Sequence, residues 1–568
     1  MEEVRAAGVA RSADLTKSVQ LHGRALVLGV VAVGLILRLE DFFGWWLNPD
    51  EGIYFSTVTQ PSRQAFWAEV GSQAHPPLYF LILRWVGYLT LDFAALRFLA
   101  LASGVGAIYL LVLVGRELAC LDTDTSRSEH AVVTPMMVGL TSGLLLALSP
   151  RAVTQSQVIR PYMFLALTLS AALFFLLRYL RQPRPLLLVG YGVFATLAVL
   201  THYSALLALG VFGLLVTVDG VRRGFARREW WRLLAVQAAP ATAVLLLYLM
   251  HLRTLMGLAT AENAQQGWLG SYMIRAPGDL WLSIMSFHSM LSGEFLAPGA
   301  ALLSLWGLVL ASRQRAWTTV TLGLGGLMIA GGAAAAQLYP FGATRHTSWL
   351  LVFVIPVLAW TLVLTMSRGA SRARAFGALL APIAFSAAGL MGYLGMNRLP
   401  PEISERVLQL GHLEAMEEVL DPQAPPGVIF MSTETFQLLT PLYAKERKSA
   451  RRSGDGVLLH FVWGSRDVVV LPSRDFTVLP QQIGYPNHLF TAVRTVSMEF
   501  PSIGLSEADT ILVLAGGWRS QGMADLVEMA GDTEHLGSAT GVPGLIAVEL
   551  DVAAYSKALL AARRPGQQ

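Results

Sequence analysis

The sequence predicts a polytopic α-helical membrane protein, with about eleven transmembrane helices, an interfacial juxtamembrane helix and a small C-terminal α/β domain. Three observations carry that prediction. Of 568 residues, 54% are hydrophobic and only 14% charged, a balance too apolar for a water-soluble fold. The apolar residues gather into runs long enough, or nearly so, to cross a hydrocarbon layer of about 30 Å. From about Asn397 those runs stop, and short β-branched stretches begin to alternate with helical patterns. The expected division is a membrane-embedded domain over residues 1–397 and an external α/β domain over 398–568.

The apolar runs fall near residues 25–39, 95–115, 132–149, 162–179, 185–200, 203–218, 233–250, 297–312, 317–337, 347–366 and 374–396. Arg5, Arg11, Lys17 and Arg24 precede the first, with no clear cleavage pattern after it, so it reads as an uncleaved anchor with a cytoplasmic N-terminus. Residues 76–93 are also apolar, and charge decides whether they cross. If they do not, the loops carrying Arg116 and Arg127; Arg178, Arg181 and Arg184; Arg222 to Arg232; Arg313 and Arg315; and Arg368 to Arg374 all join the N-terminus on the cytoplasmic side. If they do, every later basic loop lands outside. The stretch therefore reads as an interfacial or re-entrant helix entered through Pro76-Pro77.

The same assignment sends residues 40–94, 150–161, 201–203, 251–296 and 338–346 to the opposite face. These hold Asp50, Glu51, His75, Tyr79, Arg160, Tyr162, His202, Arg345 and His346. Scarce polar groups thus converge on one side, as a cavity open to the outer leaflet requires. Each residue also has a plainer reading. Asp50 and Glu51, behind Pro49, suit the first turn of a short helix; each arginine can snorkel to headgroups; each histidine can be a satisfied structural group. Trp45, Trp46, Trp67 and Trp268 read as interfacial anchors, and loop 251–296 as either a lid or a packed helix pair.

A net charge of +4 lies mostly in short-loop arginines, which orient a membrane protein and do not argue for nucleic acid. The single cysteine, Cys120, excludes an intrachain disulfide and a cysteine-rich metal site. The histidine spacing fits no helical zinc motif. No cofactor is required by this reading, although the acids and histidines are chemically able to hold a divalent cation. In the C-terminal region, strands are expected at Gly427–Met431, Val457–Val462, Val468–Leu471, Thr510–Leu514 and Leu545–Leu550, with helices near 402–420, 433–446 and 518–530.

Several motifs occur in order: Trp46 with Asp50-Glu51, His75–Phe80, Ala95-Leu-Arg97-Phe98, Gly115-Arg-Glu-Leu118, Ser156 through Tyr162, Thr201-His202-Tyr203 and Arg345-His346. In this arrangement residues 25–366 resemble the GT-C type membrane glycosyltransferases, in the branch of protein O-mannosyltransferases, aminoarabinose transferases and RgtA/B/C/D-like enzymes. The resemblance implies a polyprenyl-phosphate-linked sugar donor, an outward-facing site and a catalytic aspartate at Asp50. The acceptor stays open among lipid, polysaccharide and protein. Transfer from such a donor needs a carboxylate to take the acceptor's proton and cations to hold the departing phosphate. Asp50 is the candidate base, with Glu51 beside it. Arg160 and Arg345 suit the phosphate, and His75, Tyr79, Tyr162, His202 and His346 suit the phosphate or sugar. Two departures bear on the sugar: Val158 stands where many relatives have an acid, and Arg345-His346 where many have Arg-Tyr. A transporter or flippase of a lipid-linked saccharide is the alternative, since polar groups inside a helical bundle also mark substrate pathways.

Overall fold

The computed structural model describes residues 23–40, 42–122, 133–256, 270, 272–295, 300–367, 408, 410–414, 416–417, 419–423, 426–443, 451–452, 458–471, 496–505, 510–516, 539–542 and 545–551. They fall into two compact units, one drawn from Met1–Glu40 and Trp67–Arg398, the other from Asp41–Phe66 and Leu399–Gln568. Segment 41–66, assigned by sequence to the membrane domain, thus groups with the C-terminal residues.

The first unit is helical. In chain order it comprises α1 (23–39), then, after a segment of the second unit, α4 (Pro77–Gly87), α5 (Phe93–Asp122), α6 (Val133–Leu148), α7 (Pro150–Gln155), α8 (Tyr162–Arg181), α9 (Pro185–Thr201), α10 (Ala205–Arg223), α11 (Arg227–Val236) and α12 (Ala238–Leu247). A π-turn at Tyr248–Leu252 and α13 (Arg253–Met256) follow, then α14 (Pro277–Phe295), α15 (Ala300–Arg313), α16 (Trp317–Ala335), a 3-10 turn at Arg345–Leu350 and α17 (Leu351–Ser367). The intervening chain gives α2 (Pro49–Val58) and α3 (Arg63–Ser72). Among the described residues six segments are long and apolar enough to cross a membrane: Phe93–Asp122, Tyr162–Arg181, Ala205–Arg223, Arg227–Leu252, Trp317–Ala335 and Arg345–Thr365. The protein is therefore a membrane protein. The runs expected near 132–149, 185–200 and 297–312 are shorter apolar helices, and the run at 374–396 lies outside the described residues.

Helix α4 has 11 residues, about 16 Å at 1.5 Å per residue, well short of a bilayer core. It buries Tyr79, Phe80 and Leu83 and exposes Trp85, Tyr88 and Leu89 at its far end. Helix α14 occupies much of what the sequence read as the loop 251–296. Its buried Ser283, Phe287, Met290 and Leu291 recur at helical spacing, and Asp279 closes its start by accepting from the backbone N–H groups of Arg275 and Ala276, both at 2.8 Å. A packed helix here agrees with one of the two readings of that segment.

One end of this bundle is arginine-rich, and Glu117, Asp219 and Glu229 there are each in an ion pair. Glu117 of α5 accepts from Arg178 Nη1 at 2.7 Å and Arg181 Nε at 2.6 Å, both from α8. Asp219 pairs with Arg223 at 2.9 Å and Glu229 with Arg232 at 2.6 Å. Arg223 also donates to the Leu180 carbonyl at 2.9 Å, meeting an acceptor that the end of α8 leaves over. Asp122 caps α16, accepting from Thr319 N at 2.7 Å and Thr318 N at 3.2 Å.

The second unit contains a seven-stranded sheet: β1 (Gly427–Ser432), β2 (Arg451–Arg452), β3 (Leu459–Trp463), β4 (Arg466–Leu471), β5 (Thr510–Gly516), β6 (Ala539–Val542) and β7 (Leu545–Asp551), ordered β2-β3-β4-β1-β5-β7-β6. β1 runs parallel to β4 and β5, and the other pairings are antiparallel. The buried triplets Ile429-Phe430-Met431 and Val468-Val469-Val470 fit central strands covered on both faces. Besides α2, the helices described here include α18 (Leu410–Glu414) and α19 (Thr433–Tyr443). The helix expected near 518–530 lies outside the described residues.

Candidate active site

The opposite end of the helical unit brings together residues from four distant segments. His75 precedes α4, Tyr162 opens α8, His202 closes α9, and His346 lies in the 3-10 turn that leads into α17. The ring of His202 is 4.9 Å from His75, 5.4 Å from Tyr162 and 6.3 Å from His346. Tyr162 in turn lies 6.3 Å from His75 and 6.2 Å from His346. Because α8 starts at this cluster and ends at the Glu117 ion pairs, its 20 residues, about 30 Å of helix, separate the two ends.

His202 is the centre of the group. The backbone N–H of Ser204 donates to its Nδ1 at 3.1 Å, and the Ser204 hydroxyl lies 2.9 Å from the same nitrogen. With Nδ1 accepting, the hydrogen-bond network assigns the proton of the neutral ring to Nε2. Among the described residues, that buried Nε2 has no hydrogen-bond partner, and neither has the hydroxyl of Tyr162. Burial holds His202 well below the ordinary histidine pKa, with His75 and His346 adding to the effect. His75, though partly accessible, is pushed down to about 4 by burial, then by the positive charge of Arg345 and by His251. At neutral pH these two imidazoles are uncharged hydrogen-bonding groups, and positive charge at this end comes from arginine.

Arg160 is buried, with its guanidinium carbon 6.0 Å from the centre of the Tyr162 ring. Its segment is fixed from below by Arg38 of α1. Arg38 donates Nε to Ser156 Oγ at 2.9 Å, Nη1 to the carbonyls of Gly34 at 2.9 Å and Ala147 at 3.1 Å, and Nη2 to Leu146 at 3.1 Å. Gln157 returns the tie, donating to the carbonyls of Arg38 at 3.0 Å and Glu40 at 2.6 Å. A buried guanidinium thus bridges leftover carbonyls at the end of α6 to the loop that carries Arg160. Gly104 is required there, since a Cβ would stand 2.2 Å from Ser156 Oγ. Sequence reasoning missed Arg38, which lies at the end of an apolar run where a basic residue reads as an ordinary membrane anchor.

Three further residues were not singled out by sequence. Tyr339, whose hydroxyl is raised well above its usual range by burial, donates to the His346 carbonyl at 3.4 Å. Tyr203 donates to Nδ1 of His251, and His251 Nε2 donates to the Val70 carbonyl at 3.0 Å. The adjacency of Tyr203 to His202 and the π-turn that carries His251 are the available signals.

Of the other expected site residues, Tyr79 is fully buried 6.3 Å from Phe164, two positions after Tyr162. Arg345 begins the 3-10 turn beside His346. Asp50 and Glu51 belong to the second unit, in the first turn of α2. Asn48 caps that helix by accepting from Glu51 N at 2.9 Å, and the Glu51 carboxylate accepts from Asn48 N at 3.1 Å. This capping box gives Glu51 a structural duty, while Asp50, one residue earlier, stays partly accessible. Trp46, expected as a lipid anchor, instead packs against the core of the sheet unit and donates its indole N–H to the Leu438 carbonyl at 2.8 Å. Among the described residues no group of three or more His, Cys, Asp or Glu is arranged to hold a metal ion.

The chain matches no protein-family model and no curated protein in sequence. Among solved structures it is similar to ArnT, an aminoarabinose transferase, from Cupriavidus metallidurans in the apo state, at 13% identity and TM-score 0.49, over 94% of this chain and 99% of that one. It is also similar to the same protein bound to undecaprenyl phosphate, at 14% identity and TM-score 0.48, over 92% and 97%. A third likeness is to the Archaeoglobus fulgidus oligosaccharyltransferase in complex with zinc and sulfate, at 13% identity and TM-score 0.47, over 86% of this chain and 67% of that one.

Proposed function

We propose that the protein transfers a glycosyl group from a polyprenyl-phosphate-linked donor to an acceptor at the outer face of the cell membrane. In this reading the N-terminus is cytoplasmic and the C-terminal domain external. Asp50 takes the proton of the acceptor's hydroxyl or amine as that group attacks the anomeric carbon. The bond from that carbon to the phosphate oxygen breaks, and its electron pair leaves with the lipid phosphate. No general acid is needed for an anionic leaving group. Arg160 and Arg345 hold the phosphate, while His202 Nε2 and the Tyr162 hydroxyl supply neutral donors to phosphate or sugar; His75, His346 and Tyr79 complete the wall. Glu51 supports the base by fixing the start of α2. Two guanidiniums meet the charge that a divalent cation would otherwise meet.

The observation that carries the reading is the convergence of His75, Tyr162, His202 and His346, with the Tyr162 hydroxyl and His202 Nε2 lacking a hydrogen-bond partner among the described residues. The motif order around Asp50 supplies the reaction class. A flippase should carry open charges toward both ends of the bundle, whereas Glu117, Asp219 and Glu229 at the arginine-rich end are each in an ion pair. The test is incubation of the purified protein with a panel of polyprenyl-phosphate sugars, reading released lipid phosphate. Release is expected with one donor class, and Asp50→Asn should lower it by about 10³-fold in a protein that still inserts and folds. No release from any donor, with or without divalent cation, ends the proposal.

A further inference from the structure

The α/β unit has no role in the chemistry above, yet it holds the helix that carries Asp50. Helix α19 follows β1, and its Phe436, Leu439 and Tyr443 are buried in the core of the sheet unit with Phe461 and Trp463. Ser432 accepts from Thr435 N at 3.1 Å, and the Thr435 hydroxyl oxygen accepts from Gly516 N at the end of β5 at 3.0 Å. The helix is thus bolted to two adjacent strands. It contains Pro441. Proline has no N–H, so the carbonyl four residues back, at Gln437, loses its helical donor and is pushed outward by the ring.

Helix α2 closes over that spot. A Cβ on Gly52 would stand 1.9 Å from the Gln437 carbonyl oxygen and 2.5 Å from its carbon, so the two backbones approach as only glycine permits. Trp46, six residues earlier, spans to the next carbonyl, donating its indole N–H to Leu438 at 2.8 Å, while its own backbone N–H donates to Leu408 at 3.1 Å. One short segment therefore packs closely against one carbonyl of α19 through Gly52 and hydrogen-bonds the next through Trp46, and Asp50 lies between those two residues in sequence.

We propose that α19 is the seat that sets the orientation of the Asp50 carboxylate, with Gly52 and Trp46 as positioning residues. The C-terminal unit then serves the transfer reaction as a rigid template for the base. This rests on the reading of Asp50 given above, and the experiment separates the two. Full-length Gly52→Ala and Trp46→Phe are prepared in lipid nanodiscs beside Asp50→Asn. Hydrogen exchange is followed over Pro49–Val58 and Thr433–Tyr443, affinity is measured for undecaprenyl phosphate, and turnover for the panel donor that releases lipid phosphate. Both positioning variants should speed exchange in the two helices by about tenfold or more and lower kcat by about 100-fold. KM for the donor and the affinity for undecaprenyl phosphate should stay unchanged, which general destabilisation would not allow. Trp46→Phe keeps an aromatic ring, removing the N–H donor with part of the indole's volume, so it decides the matter if Gly52→Ala does not fold. Unchanged exchange in either helix, or faster exchange with wild-type kcat, overturns the proposal. Full turnover by Asp50→Asn removes the base instead, and exchange then reports the seat by itself.

Discussion

The two ends of the helical unit use polar residues in opposite ways. At one, Glu117 takes two arginines, Asp219 and Glu229 each hold one, and Asp122 caps a helix. At the other, His202 and Tyr162 are buried among aromatic rings, and among the described residues their donor atoms have no protein partner. Unsatisfied buried donors cost stability, so the first end ties helices together while the second keeps hydrogen-bonding capacity for something that enters. Under the proposed function, the difference separates residues that serve the fold from residues offered to a donor, along the length of single helices such as α8.

The sharpest way to break that contrast is to change one end and watch the other's property. Arg160→Ala should lower turnover by about 10²-fold to 10³-fold, and His202→Gln by less, each in a protein that still inserts and folds. A large loss of melting temperature in both would make this end structural as well. Next in size, Glu117→Gln should cost about 1 to 2 kcal/mol of stability, because it weakens two charge-assisted contacts to half-buried arginines. Turnover per folded molecule should be unaffected. Denaturation of purified protein in mixed micelles, paired with the lipid phosphate assay, measures both.

The smallest effect is on pH dependence. His75 has its pKa lowered from 6.5 to about 4 in the folded state, so between those values the unfolded chain binds the extra proton and the native state does not. Stability therefore rises with pH across that window and is fully recovered above 6.5. His75→Gln should flatten this part of a stability profile measured from pH 4 to 7. A profile that keeps its full slope in the variant would place the titration elsewhere.

Much of the cluster was legible in the sequence. His75, Arg160, Tyr162, His202, Arg345 and His346 stand out as polar residues at the margins of apolar runs, and the arginine pattern assigned them all to one face. The short α4 was legible for the same reason. What stayed hidden were pairings across long separations. Nothing local to Arg178 and Arg181 announces Glu117, some 60 positions earlier, and nothing local to Arg38 announces Ser156. The capping box around Glu51 was readable as an alternative to catalysis because it is a contact over three residues. The grouping of 41–66 with the C-terminal residues was not, since Trp46 meets Leu438 across 392 positions.

The sequence alone determined that the chain enters a membrane, where most of its described apolar helices lie, and which polar side chains are exceptional. Those properties follow from hydropathy and charge, which are summed locally along the chain. Only the tertiary structure decided which exceptional residues meet. Whether a buried arginine is paired, whether an imidazole keeps an open donor, and which backbone a glycine lies against depend on contacts between distant segments, and short-range composition carries no record of them.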